Sequence, residues 1–213
     1  MKQEAYLQSL LSEPSKPIQE LESYAREQGV PIMEPLGIDF LMQLIRMQQP
    51  ERILEIGTAI GYSALRMLEA NPDSRITTVE RDTGRYQEAK KNIKKMEADE
   101  QITIIHGDAL ETAEDVRAYG PYDLLFIDAA KGKYEEFFHL YAPMLNEDGV
   151  IISDNVLFKG YVADDEEASP RMAKIARKIR TFNEWLVQHP DYHTSIVPIG
   201  DGVAITKKRS QSK

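Results

Sequence analysis

With 213 residues, 42% of them hydrophobic and 29% charged, the chain can bury a sizeable core and reads as one globular domain. A net charge of −9 argues against indiscriminate nucleic-acid binding, which depends on neutralising phosphates, but is compatible with a local basic patch. The absence of cysteine excludes disulfides and thiolate metal sites, and no apolar run is long enough to span a bilayer, so the expected location is the cytoplasm.

The first fifty residues read as a helical cap broken at SEPSKP and GVPIMEP. Within it, IDFLMQLIRM (38–47) has helical apolar spacing and stops before Pro50. From 51 to about 208 a core with alternating elements follows. RILEIG (52–57), RITTVE (75–80), ITIIHG (102–107), YDLLFID (122–128) and GVIISD (149–154) are short apolar runs ending in glycine or an acid. Between them lie YSALRMLEA, GRYQEAKKNIKKMEA, ETAEDVRAY and YEEFFHLYAPML, all compatible with helix. The alternation predicts a doubly wound α/β sheet of five parallel strands with helices on both faces. Beyond 160, the long basic helix SPRMAKIARKIRTFNEWLVQ leads to TSIVPIG and GVAITKK. Little more than Asp201 separates these two strands, which demands an antiparallel hairpin. The terminal RSQSK is expected to fray.

Candidate site residues gather at the carboxyl ends of these strands, where open α/β sheets bind ligands. In EIGTAIGYSA, Gly57 and Gly61 follow G-x-x-x-G rather than the dinucleotide fingerprint G-x-G-x-x-G. Glycine lets a ligand approach the backbone, the next helix offers free N–H groups, and Ser63 can donate from its first turn. About 23 residues beyond Gly57, Glu80 ends the second strand and can accept from both hydroxyls of a ribose. HGDAL brings Asp108 and Ala109 to the same rim. A tight turn alone would account for the glycines. With Glu80 added, an adenosine-containing cofactor is the better reading.

The runs LLFIDAAKGKY and IISDNVLFKG place Asp128, Asp154 and Asn155 at neighbouring strand ends. Two carboxylates and an amide, without sulfur or a histidine pair, suit a hard divalent cation, Mg²⁺ above all. Asp154-Asn155 alone could be an ordinary turn; Asp128 beside it favours the metal. An ammonium close to a dication has its charged form disfavoured, which makes Lys131 a candidate base. Simple pairing with Asp128 or Glu135 is the bland alternative, and Lys133 reads as a solvated side chain.

In order along the chain, EIGTAIGYSAL, TTVERD, GDAL, DLLFIDAAKGKY and IISDNVLFKG resemble the cation-dependent O-methyltransferases, relatives of catechol and caffeoyl-coenzyme A O-methyltransferases. The resemblance runs from about Met33 to about Lys207 and implies a Rossmann-like class I methyltransferase fold. It implies S-adenosylmethionine at Met33, Glu55, Gly57, Gly61, Ser63, Glu80, Asp108, Ala109 and Asp128, and Mg²⁺ on Asp128, Asp154 and Asn155. It further implies Lys131 as the base that deprotonates a metal-chelating acceptor for in-line methyl transfer, and a homodimer. Ala130 departs from the pattern, since relatives often carry an acid there.

Catechols and 5-hydroxyuridine both present an acidic hydroxyl beside a second oxygen. The short chain most resembles the bacterial branch that methylates 5-hydroxyuridine at the tRNA wobble position, giving 5-methoxyuridine. Arg171, Lys174, Arg177, Lys178 and Arg180 are then candidate contacts to tRNA phosphates, with Lys207, Lys208 and Arg209 a second basic stretch. A solvated helix face explains the same residues, and ADDEEA (163–168) would repel phosphate. Small catechol or phenylpropanoid acceptors, and a non-catalytic nucleotide- or RNA-binding protein, are the alternatives.

Overall fold

The computed structural model describes residues 2–209. It begins with three helices, α1 (Lys2–Gln8), α2 (Lys16–Gln28) and α3 (Pro35–Gln48). Both α2 and α3 carry proline in their first turn, where a missing N–H costs nothing, and end on a left-handed residue, Gly29 (φ 64°) and Gln49 (φ 48°). Pro35 starts α3 three residues before its apolar period becomes visible.

Seven strands follow: β1 (Arg52–Ile56), β2 (Arg75–Glu80), β3 (Ile102–His106), β4 (Tyr122–Ile127), β5 (Leu145–Ser153), β6 (Tyr192–Val197) and β7 (Val203–Lys208). Their order is β3-β2-β1-β4-β5-β7-β6, with β1 to β5 parallel and β7 antiparallel to both its neighbours. This is the expected Rossmann-like sheet closed by a hairpin. Because the strand order reverses at β1 and β4, their carboxyl ends open a crevice there.

Alternate side chains of each strand go to opposite layers. Ile53, Leu124, Phe126 and Ile152 pack with α2, α3 and α4 (Tyr62–Ala70). Leu54, Ile56, Leu125, Ile127 and Ile151 pack instead against α7 (Tyr134–Tyr141) and α8 (Pro170–Gln188). The remaining helices are α5 (Thr83–Lys95), started by Asp82 accepting from the Arg85 N–H at 2.8 Å, and the short α6 (Ala113–Arg117).

Several boundaries differ from expectation. β5 begins at Leu145 rather than 149, since Asn146 bonds Asp123 (2.7 Å) and extends the pairing through polar, exposed residues. Pro143 converts the end of α7 into a 3-10 turn at Ala142–Met144. Of RSQSK, Arg209 is tied down by bonds to Asp191 O (2.7 Å) and Tyr192 O (3.0 Å). The expected fraying of the rest falls outside the described residues.

Candidate active site

A cavity of about 670 Å³ opens at the crevice beside β1 and β4. Its floor is the β1–α4 loop. Gly57 holds φ 107°, and a Cβ there would run into the Asp128 carbonyl oxygen, so only glycine lets these two loops meet. Next to it stands Glu80, 6% exposed, whose carboxylate is fixed by the N–H groups of Ala59 (2.8 Å) and Asp82 (2.8 Å). Each of these oxygens keeps a second lone pair, so the aimed carboxylate can still receive two hydroxyl donors. That is the chemistry a ribose requires, and the cavity has the size for a nucleoside with a side chain.

Of the residues predicted for the cofactor, Met33, Gly57, Ser63, Glu80, Asp108, Ala109 and Asp128 line this cavity. Glu55 and Gly61 do not. Gly61 faces Ile93 and Ala89 of α5 and serves the turn into α4. Glu55 is fully buried behind the loop, where it accepts from the hydroxyls of Ser63 and Thr78 (2.5 Å). Thr78 in turn shares a bond with Thr58 (2.6 Å). Burial pushes the Glu55 carboxyl up to about 7, with the two hydroxyl bonds opposing. The Ser63 proton expected to serve a ligand is therefore engaged with Glu55, which sequence alone gave no means of seeing.

At the opposite wall the ends of β4 and β5 bring Asp128, Asp154 and Asn155 together. The Asn155 amide nitrogen donates to Asp154 (2.6 Å) and Asp128 (3.2 Å), and Lys131 Nζ donates to the Asn155 oxygen. Desolvation raises both carboxyls above the usual range, and their mutual repulsion raises Asp154 further. Among the described residues no three acid, histidine or cysteine side chains gather as a metal centre. The set is two acids and an amide. By donor chemistry it fits a hard cation once the amide turns its oxygen toward the two carboxylates. Two mutually repelling, desolvated acids are the feature that a dication would relieve.

Lys131 stands 5.8 Å from the centre of the Phe158 ring. Its neighbour Lys133 pairs with Glu136 (2.9 Å) and also lines the cavity. Glu34, Arg81, Arg85, Lys159 and Asp201 line it too, none of them singled out for the site from sequence. Asp201 occupies a tight turn between glycines, a position that sequence reasoning assigns to the hairpin alone.

None of the five α8 cations lines the cavity. Arg177 and Arg180 lie 3.8 and 3.9 Å from Asp165, and Arg180 also donates to Val162 O (2.8 Å), so both hold the acidic 161–165 loop in place. Arg171, Lys174 and Lys178 are exposed, and Lys178 lies against Gly132 at the rim. In the second basic stretch, Lys207 lies 3.5 Å from Asp148. No helix among the described residues is long and apolar enough to cross a membrane.

The profile of a protein family described as O-methyltransferase matches residues 8–209. A catechol O-methyltransferase of Niastella koreensis is 33% identical over 165 residues, covering 75% of this chain and 73% of that protein. A solved Staphylococcus aureus structure, provisionally described as a caffeoyl-CoA O-methyltransferase, superposes with a TM-score of 0.90 at 39% identity. It covers 98% of this chain and 100% of its own. A Bacillus cereus O-methyltransferase in complex with SAH has a TM-score of 0.83 at 25% identity, with 98% of each chain covered.

Proposed function

Since the chain belongs to the O-methyltransferase family, we propose that it transfers a methyl group from S-adenosylmethionine to the 5-hydroxyl of 5-hydroxyuridine at the tRNA wobble position, aided by Mg²⁺. S-Adenosylmethionine supplies a methyl group on a sulfonium sulfur when bound, and the cation supplies charge stabilisation to the acceptor oxygen.

The chain's own residues supply the rest. Glu80, held by two amides, receives the ribose hydroxyls and sets the depth of the cofactor. Asp128, Asp154 and Asn155 hold the cation. Lys131, whose Nζ lies within reach of Asn155, takes the hydroxyl proton of the acceptor. Phe137 and Phe158 wall the cavity and keep water from the proton being moved.

The observation that supports the tRNA acceptor is the stripe Arg171, Lys174 and Lys178. Their spacing puts the three exposed cations along one side of α8, and the last of them touches the loop that carries Lys131. Such a stripe suits a phosphate backbone leading to an anticodon base in the cavity. The experiment is transfer of a labelled methyl group to 5-hydroxyuridine tRNA and, in parallel, to a catechol, with and without chelator. Arg171→Glu with Lys174→Glu is expected to raise the tRNA KM by roughly tenfold or more and to spare the catechol. Equal losses on both acceptors would sink the proposal. A small catechol acceptor is the second reading, favoured by the Niastella relative, and predicts saturation by the catechol at low concentration. In either reading the protein acts as a homodimer, which light scattering tests.

A further inference from the structure

Four residues in six, Asn155 (φ 62°), Phe158 (φ 42°), Lys159 (φ 57°) and Gly160 (φ 82°), take left-handed backbone directly after β5. Three of them are not glycine, so the segment is held in this shape by something outside itself. What holds it is the tip of the β6–β7 hairpin. The Val156 N–H donates to Gly202 O (3.0 Å), while Leu157 N–H (2.8 Å) and Phe158 N–H (3.1 Å) both donate to Asp201 O. The Lys159 N–H donates to the Asp201 side chain, Oδ1, at 3.2 Å. Gly202 has φ 88°, and a Cβ on it would run into the Leu157 side chain, so the tip can approach this closely only without one.

The braced segment carries working parts of the site. At one end Asn155 bridges Asp128 and Asp154; further on Phe158 lies over Lys131; and Lys159 lines the cavity. Asp201 lines the cavity as well. The opposite wall, with Glu80, Asp108 and Ala109, is built from β2 and β3 ends that the hairpin does not touch.

We propose that Asp201 is a positioning residue for the methyl acceptor, its carboxylate oxygen pinning the left-handed Phe158–Lys159 turn and so fixing Phe158 and Asn155 against Lys131. The role is that of a hydrogen-bond acceptor for the Lys159 N–H, and it falls on the acceptor side of the cavity. The inference rests on methyl transfer in this cavity and not on which acceptor is used.

The test compares Asp201→Ala, which removes the acceptor atom, with Asp201→Asn, which keeps it. Hydrogen exchange of the Lys159 amide, the one that donates to the carboxylate, gives a readout free of catalysis. Asp201→Ala is expected to speed that exchange and raise the acceptor KM, each by about tenfold, while S-adenosylmethionine affinity by calorimetry stays within about twofold. Asp201→Asn is expected to restore both. Should Asp201→Ala fail to fold, Asp201→Leu, close in size to Asn and without an acceptor atom, carries the same comparison. Unchanged exchange, an Asn variant as damaged as the Ala variant, or cofactor affinity falling in step with the acceptor would each overturn the proposal. Kinetics are measured with both tRNA and catechol. Wild-type inactivity toward tRNA would count against the tRNA reading alone, because the catechol KM and the exchange rates still decide the role of Asp201.

Discussion

Glu55 has no water to ionise into. It is fully buried, and its two oxygens meet hydroxyl donors and no cation. Its folded-state value near 7 lies above its ordinary value of 4.5, so the folded protein binds this proton more tightly than the unfolded chain. The resulting stability is present in full below about 4.5 and is lost as pH rises through about 7, a change of about 3 kcal/mol for this one group. Glu55→Gln carries no proton to lose. Urea unfolding from pH 5 to pH 8 is expected to show wild type losing stability relative to Glu55→Gln by roughly that amount, and parallel profiles would refute it. Since Asp128 and Asp154 remain in both proteins, the difference between them isolates Glu55. Lys131 admits a kinetic test. Lys131→Met keeps the length and apolar bulk of the stem but removes the nitrogen, so kcat is expected to fall by roughly 10²–10⁴ with S-adenosylmethionine affinity unchanged. A small loss in kcat, or a loss shared by cofactor binding, would mean that Lys131 only orients Asn155. At this scale the sequence was readable wherever an acid ends a strand, as Glu80, Asp128 and Asp154 do. Glu55 and Asp201 were not, because their roles depend on which side chains stand behind a loop or across a hairpin.

The two glycines of the β1–α4 loop look equivalent along the chain yet serve different elements. Gly57 lies against β4, and a Cβ on it would run into the Asp128 carbonyl backbone, which cannot turn aside. A Cβ on Gly61 would stand 3.4 Å from the Ile93 side chain of α5, at the edge of ordinary contact. Gly61→Ala is therefore expected to cost mainly its left-handed backbone (φ 86°), about 1–2 kcal/mol, and to leave cofactor affinity nearly intact. Gly57→Ala is expected to cost more than about 3 kcal/mol and to abolish measurable S-adenosylmethionine binding, since the loops forming the cavity floor must part. Thermal melts with calorimetric titration separate the two; similar effects of both would show that the loop yields. The parallel strands were legible for a related reason. β1, β2 and β4 are buried along nearly their whole length, so their runs are almost free of charge. The end of every parallel strand, the half-buried edge strand β3 included, is marked by glycine or an acid. The first half of β5 was not, because it is held by the pairing of Leu145 with Tyr122 and by the Asn146–Asp123 bond, while Asn146, Glu147 and Asp148 are exposed. The hairpin was legible from its glycines, but its second duty as a brace was not.

Across the whole molecule, the cavity is walled by the ends of β1, β2, β3, β4 and β5, by the α2–α3 connection and by the hairpin tip. Anything that binds there ties together parts of the chain that are distant in sequence, and so acts on global stability by mass action. S-Adenosylmethionine at a hundred times its Kd is expected to add about 2.7 kcal/mol, a rise in Tm of roughly 5–10 °C for a chain of this length. The proposed divalent cation has a separate signature. Burial raises both Asp154 and Asp128, and Asp128 pushes Asp154 further, to about 7. At pH 8 the ionised, desolvated Asp154 therefore opposes folding until the proposed cation neutralises it. Asp154→Asn removes that opposition and, with it, one ligand of the proposed cation site. In EDTA at pH 8 the Asn variant is therefore expected to melt above wild type. Adding Mg²⁺ raises wild type and leaves the variant where it was, closing or reversing the gap, while the rise with S-adenosylmethionine survives in both. Below about pH 5 the Asp154 carboxyl is protonated in the folded state, and the difference between the two proteins in EDTA should shrink. Scanning calorimetry under these conditions decides the matter. A Mg²⁺ rise of equal size in Asp154→Asn and wild type would place the cation elsewhere on the protein, and a wild type already more stable than the variant in EDTA would mean that the Asn155 bridge offsets the repulsion without a metal.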